Sequence, residues 1–478
     1  MNSAIRVRFA PSPTGFMHLG NVRTALINYL FARHMNGTFI IRVEDTDQQR
    51  LFDLQAQGIL KDLAWLGLTF QEGPGIGGPY APYYQSERHE IYQRQLQECI
   101  ALGKAYRCFC TVEELEKKRE RQIAQKLPPR YDRSCLLLTA SQVAQKLTDE
   151  IPFIWRFKLG NETVTIFDLA RGNISYNLAN FSDFALTRQD GSCTFIFANF
   201  VDDVEMEISH VIRGEDHLSN TANQAALYQE LGKKLPVFWH LPIMANSEGK
   251  KLSKRDFGFS LHDLRNAGYL PEAITNYLAL LGLAFKCADG DSSAEIMSLT
   301  QLSSVFKVDH ISATGQIKYD IEKLHWINQK WIQRISFNDF KERIGNFLNE
   351  KPYNEESFDA LLKIIQPELI TLHDIIEKTH FYFHRPKLDL ARLTDEEKMV
   401  DAWLEIIMPA IKETIATPEL CIKILAERAK AASIQSKALY MVLRKKLTGH
   451  AHGLSIKELI VILGPQESYR RLSTLISE

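Results

Sequence analysis

His18, Gly20 and Asn21 follow a proline-rich turn and open a helical pattern, a setting suited to the phosphates and adenine of a nucleotide. The glycine admits a ligand close to the backbone, the helix N-terminus favours negative charge, and the imidazole can donate to a phosphate oxygen. Far down the chain, the run 251–255 carries Lys251 and Lys254 between Gly249 and Gly258. Such cations can follow an α-phosphate into a crowded transition state, where preorganised charge matters most. Taken singly, the first segment also reads as a satisfied turn histidine and the second as a solvated basic loop. In this order and this far apart, the two together point to phosphate chemistry on a nucleotide.

The surrounding elements suit that chemistry. Ile5, Val7 and Phe9 alternate with Arg6 and Arg8 as in a strand. Residues 10–15 then stop regular structure, because Pro11 and Pro13 remove backbone donors and Gly15 permits a turn. A helix is expected from Asn21, with Val22, Ala25, Leu26, Tyr29 and Leu30 at helical spacing, and a buried strand over 38–43. Strand, helix, strand begins a parallel α/β sheet, whose ligands sit at the carboxyl ends of the strands. The turn and the acidic stretch 44–47 both fall there. Residues 73–78 match G-x-G-x-x-G by letter, but prolines rather than a helix follow, so they read as a loop. A helix at 87–102, a charged helix and strand-like stretches at 153–157 and 164–167 suggest an inserted domain. Alpha/beta character returns at 195–200 and 208–212, with a helix over 219–231. After residue 293 the pattern is mostly amphipathic helix.

Composition bounds the rest. The 478 residues are 45% hydrophobic and 24% charged, which excludes a disordered chain and allows about three domains. A net charge of −1 announces no polyanionic partner, although local basic patches suffice for RNA. The apolar stretch 277–285 is too short to span a bilayer, and residues 1–9 lack a signal-peptide core. Seven cysteines without a disulfide-framework spacing suit a reducing compartment. These features read as a cytoplasmic protein without a membrane partner.

The segment 9–21 resembles the first signature of the glutamyl and glutaminyl branch of class I aminoacyl-tRNA synthetases, and 251–255 resembles their second, in its KLSKR form. Segments 42–47, 72–74, 85–88, 211–217 and 436–440 are similar, in order, to bacterial glutamyl-tRNA synthetases. The resemblance implies an α/β fold: a Rossmann-type parallel-sheet catalytic domain, an inserted α/β acceptor-binding domain and an all-α C-terminal anticodon-binding region. The implied division is 1–90 and 186–250 for the catalytic halves, 91–185 for the insertion, 251–325 for the KLSKR loop and stem-contact region, and 326–478 for the anticodon region.

The implied reaction is ATP-dependent ligation of L-glutamate to tRNA-Glu through glutamyl-adenylate, releasing AMP and diphosphate, by a monomer with Mg²⁺ accompanying ATP. By resemblance, Arg8 and Arg213 grip the carboxylates of glutamate, since a planar fork of donors suits bidentate recognition. Glu44 accepts from the substrate ammonium, and Ala10, Ser12, Phe195 and Asn199 complete that subsite. His18, Gly20, Asn21, Glu215 and Lys254 hold ATP, with His18, Lys251 and Lys254 catalytic. Phe195 departs from the tyrosine usual in the family, keeping the ring and losing a donor. Cys108, Cys110 and Cys135, with Tyr131 in the place of a fourth ligand, invite a structural zinc reading; ordinary reduced cysteines are the alternative. The basic residues of the insertion, such as Lys117, Lys118 and Arg119, fall where the family cradles the tRNA acceptor end. Lys430, Lys437, Arg444, Lys445 and Lys446 fall where the tail would reach the anticodon. The competing readings are an enzyme that also charges tRNA-Gln with glutamate, alone or as a second synthetase, and a catalytically silent tRNA-binding paralogue. A glutaminyl enzyme fits less well, because its family has a β-barrel anticodon region and this tail reads helical.

Overall fold

The strands Arg6–Phe9 and Thr38–Ile41 pair in parallel, Arg6 beside Thr38 and Phe9 beside Ile41, and the helix Leu19–His34 connects them. The computed structural model describes residues 4–13, 15–46, 56–246, 248–252, 258, 260–281, 295–308, 316–388 and 393–474. The connecting helix is buried on nearly every side because it packs on these strands and on the helices Pro271–Leu280 and Leu299–Val305. That is why its apolar residues do not form a single stripe, and why its buried Arg23 and Asn28 are hydrogen-bonded. Ser209 joins this pair to a second sheet: its amide donates to Arg6 O at 3.0 Å, and Val237 N donates to Ser209 O at 2.9 Å. The second sheet runs Gly172–Asn177, Thr163–Asp168, Val237–Leu241, His210–Gly214, with the last three strands parallel. The strand Gly172–Asn177 has no counterpart in the sequence reading.

The stretch 195–200 opens a helix, Phe195–Glu205, rather than a strand. Its apolar run fits either state by periodicity, and packing on the helix Leu218–Glu230 accompanies the helical outcome. Residues 73–78 form a loop in which Gly75 and Gly77 take φ of 77° and 82°, with no helix after them.

Between residues 91 and 185, Ala105–Cys108 pairs antiparallel with Ile154–Phe157, Arg107 facing Trp155. The charged helix Val112–Ala124 starts at a capping box between Thr111 and Glu114 and buries none of its residues. Lys117, Arg119 and Arg121 are exposed, whereas the half-buried Lys118 donates to Asp132 and Ser134.

By contacts the chain divides into two units, one of residues 1–265 and 271–324, the other of 266–270 and 325–478. Among its described residues the second unit is helical. Pro418 opens the helix Pro418–Ala431, and Thr417 before it makes no side-chain cap. Its backbone, at φ −119° and ψ 87°, is not in cap geometry. The helix from Ile456 turns at Gly464, whose φ is 77°, ahead of Pro465. Of the tail cations, Lys446 is buried against Asp401 and Lys445 pairs with Glu397 at 2.6 Å, while Arg444 donates to Ala451 O and Leu454 O. These three hold the unit together. No described helix is long and apolar enough to cross a membrane.

Candidate active site

A cavity of about 380 Å³ opens at the carboxyl ends of Arg6–Phe9 and His210–Gly214 and at the start of the helix Leu19–His34. Arg8, Ala10, Ser12, His18, Gly20, Asn21, Glu44, Phe195, Asn199, Arg213 and Lys251 all line it. Glu215 does not line it. One Glu215 oxygen takes Arg171 at 2.6 Å and the other takes the amide of Ile243, a lining residue, at 3.0 Å. Lys254 lies outside the described residues. The segment before it reaches the cavity through Lys251 and Leu252, and Ser260 after it bridges His18.

His18 caps the helix. Its Nδ1 accepts from Asn21 N at 3.2 Å, which places the ring proton on Nε2. Burial and the nearby Lys251 lower its pKa against the opposing pull of Asp216, so the ring is a neutral donor. Gly20 makes room for this: a Cβ there would lie 3.0 Å from two atoms of the imidazole. Lys251 Nζ sits 3.4 Å from Asp216 at the solvent side.

The side of the cavity lined by Arg8, Glu44, Asn199 and Arg213 is built from buried polar and charged groups. Asn199 Nδ2 donates to Glu44 Oε1 at 2.6 Å, and Gln224 Nε2 donates to Asn199 Oδ1 at 2.9 Å, which fixes the amide's orientation. Burial raises the Glu44 pKa, while Arg42, Arg8 and Asn199 pull it back. Asp203 accepts from Arg8 at 2.9 and 3.1 Å and from Arg42 at 2.7 Å. Burial alone would raise its pKa; the two guanidiniums hold it below the usual carboxylate range. Its neighbour Asp202 takes Arg88 and Gln85, each at 2.7 Å.

Arg213 differs. Its Nη2 donates to Thr221 Oγ1 at 2.7 Å, its Nε has no hydrogen-bond partner among the described residues, and no carboxylate there pairs with it. Burial first, then Arg8, pushes its pKa down to about 10. A buried guanidinium without a counter-ion, opposite a buried carboxylate at Glu44, is complementary to a ligand carrying both carboxylate and ammonium. Phe195 lies beside His217, with ring centroids 5.6 Å apart and planes tilted by 32°, and its ring forms a wall of the cavity. Burial and Arg213 push the His217 pKa down to about 4, keeping it neutral.

Asp203, Gln224, Thr221 and His217 escaped the sequence reading. For Asp203 a signal exists: Asp202 and Asp203 interrupt an otherwise apolar helix, where charges are stable only if paired. Gln224 and Thr221 carry no local mark.

In the insertion, the Sγ atoms of Cys108, Cys110 and Cys135 lie within 4.8 Å of one another. Tyr131 OH is 3.3 Å from Cys108 Sγ and 3.8 Å from Cys110 Sγ, and Cys110 and Cys135 Sγ are 3.5 Å apart. A tetrahedron of sulfurs around zinc has edges of about 3.8 Å, so this set fits the ion.

The sequence pattern of tRNA synthetases class I (E and Q), catalytic domain, matches residues 4–326, and that of an anticodon binding domain matches 333–476. The chain is 38% identical to a glutamate–tRNA ligase of Sulfurihydrogenibium sp., over 98% of this chain and 99% of that one. It is also 38% identical to glutamate–tRNA ligase 1 of Syntrophomonas wolfei, over 98% and 96%. Among solved structures it is similar to a glutamate tRNA ligase from Elizabethkingia meningosepticum in complex with its amino acid, with a TM-score of 0.85, 33% identity and 98% of each chain covered. With signatures, cavity and helical second unit in agreement, the chain belongs to the class I tRNA synthetases of the glutamate and glutamine branch.

Proposed function

We propose that this cavity performs the reaction of a glutamate–tRNA ligase: ATP-dependent attachment of L-glutamate to tRNA-Glu. The observation that carries the reading is Arg213, a buried cation without a counter-ion facing the same cavity as Glu44 and the His18-capped helix. Arg213, with the Nη1 side of Arg8, takes the carboxylates of glutamate, and Glu44 takes its ammonium. Ala10, Ser12, Phe195 and Asn199 shape that end. His18 Nε2 donates to phosphate, Gly20 and Asn21 present the helix start, and Lys251 and Lys254 bring positive charge to the α-phosphate. Glu215 holds the nucleotide side through Ile243.

In the first step a glutamate α-carboxylate oxygen attacks the α-phosphorus, the bond to the β-phosphate oxygen breaks, and diphosphate leaves. The terminal ribose hydroxyl of tRNA then attacks the acyl carbon of glutamyl-adenylate, and AMP leaves. No side-chain nucleophile is needed; positioning and preorganised charge lower both barriers. Mg²⁺, bound with ATP, neutralises its phosphates.

We assign residues 91–185 to the acceptor end, 251–325 to the catalytic loop and tRNA stem, and 326–478 to the anticodon, in a cytoplasmic monomer. Cys108, Cys110, Tyr131 and Cys135 would hold zinc as a structural staple of the insertion. Aminoacylation with labelled glutamate, on separate tRNA-Glu and tRNA-Gln transcripts with glutamine as control, tests the function. Charging of tRNA-Glu alone is expected. Charging of both would make the enzyme nondiscriminating, and charging of neither, with native tRNA included, would overturn the reading.

A further inference from the structure

We propose that Thr221, His240 and Asp168 are positioning residues for glutamate, forming a buried chain of hydrogen bonds that aims the Arg213 guanidinium at the substrate while leaving its charge unspent. The proposal rests on the assignment of Arg213 to glutamate and reaches one layer behind it.

The chain is continuous. Arg213 Nη2 donates to Thr221 Oγ1 at 2.7 Å, the same oxygen lies 2.8 Å from His240 Nε2, and His240 Nδ1 lies 2.7 Å from Asp168 Oδ2. Asp168 also accepts from the backbone amides of His240, Ala170 and Arg171 at 2.9–3.0 Å. Asp168, His240 and Thr221 are each 0% exposed. Four elements meet here: the strands ending at Asp168, Leu241 and Gly214, and the helix Leu218–Glu230.

Counting protons gives the chain a direction. An ionised Asp168 only accepts, so His240 carries its proton on Nδ1. Burial lowers the imidazole pKa, as do the facing cations Arg213 and Arg171, against the pull of Asp168; Nε2 is therefore an acceptor. Thr221 then spends its single hydroxyl proton on His240 Nε2 and offers Arg213 a lone pair. The backbone oxygen of His217, 3.1 Å from Thr221 Oγ1, is the weaker competitor for that proton. Every proton points from Arg213 towards Asp168, and such aligned bonds polarise one another. Arg8 is fixed by the full charge of Asp203, which cancels much of its attraction for a substrate anion. Arg213 is fixed by a neutral oxygen; Asp203 and Glu44 attract it without bonding to it, so its charge is less cancelled than that of Arg8.

The test compares Thr221→Val, Thr221→Ser, Arg213→Gln and the double variant Thr221→Val/Arg213→Gln by ATP–pyrophosphate exchange in the presence of tRNA-Glu. Thr221→Val is expected to raise the glutamate KM about tenfold, with kcat and the ATP KM within about twofold of wild type. Thr221→Ser restores the glutamate KM, and Thr221→Val adds less than about twofold once Arg213 is already Gln. A wild-type glutamate KM in Thr221→Val, equal impairment of the Ser variant, or an undiminished effect in the Arg213→Gln background overturns the proposal. An unchanged KM in Arg213→Gln itself would remove the assignment beneath it, which is a separate result. Should Thr221→Val not fold, ¹⁵N-histidine NMR of the wild-type enzyme decides: the Nδ1–H tautomer at His240 is required, and an Nε2–H tautomer overturns the chain.

Discussion

Asp203 grips Arg8 along its Nε and Nη2 edge at 2.9 and 3.1 Å, so this arginine enters the cavity already half engaged. The same carboxylate takes Arg42 at 2.7 Å, making one buried acid the anchor of two guanidiniums. The cavity therefore presents two unlike arginines, one paired with a carboxylate of the protein and one not.

Replacing the anchor should be costly. Asp203→Asn removes the counter-ion of Arg8 and one of the three carboxylates around Arg42, and is expected to lower unfolding stability by about 3 kcal/mol, read from urea melts. The pKa of Asp203 is depressed in the folded state, so its contribution is present above the ordinary aspartate value of about 3.9 and is lost as pH falls below it through the folded value. The acid limb of the wild-type stability curve should accordingly be steeper than that of the variant.

His18 has two separable duties. His18→Asn keeps a good helix cap and should retain the wild-type Tm, while losing about 10- to 100-fold in exchange kcat with the phosphate donor gone. His18→Ala should lose the same rate and, in addition, about 1 kcal/mol of stability. Equal Tm values for the two variants would show that the cap contributes nothing.

Phe195 stands where a hydroxyl would reach the cavity wall beside His217. Phe195→Tyr is expected to lower the glutamate KM about fivefold, the yield of one added hydrogen bond, with the ATP KM unchanged. An unchanged glutamate KM would mean that the substrate is already satisfied there.

The thiol cluster predicts about one zinc per chain by metal analysis of the purified enzyme. Cys110→Ser should lower the zinc content and expose the insertion to proteolysis, yet leave exchange activity largely intact with saturating tRNA. Zinc-free wild-type protein with the same melting curve would support ordinary reduced cysteines.

Much of this protein is written locally. The strand at 6–9, the turn after it and the helix with His18 at its head depend on neighbours within a few positions, and even the Nδ1 cap reaches only from residue 18 to residue 21. The helical tail was legible for the same reason, since propensity, capping and hydrophobic period act over one or two turns, whereas the two signatures were legible by resemblance to a family. The apolar run at 195–200 was not, since a short buried segment suits strand and helix alike until its neighbours are known. Nor did the sequence show that Lys445 and Lys446 are spent on Glu397 and Asp401 rather than left for RNA. The pairing of Arg8 with Asp203 spans 195 positions, and that of His240 with Asp168 spans 72. Such partners are chosen by burial: a charge removed from water must find its counterpart wherever the fold brings one, and only the folded chain decides which arginine is paired with a carboxylate and which is not.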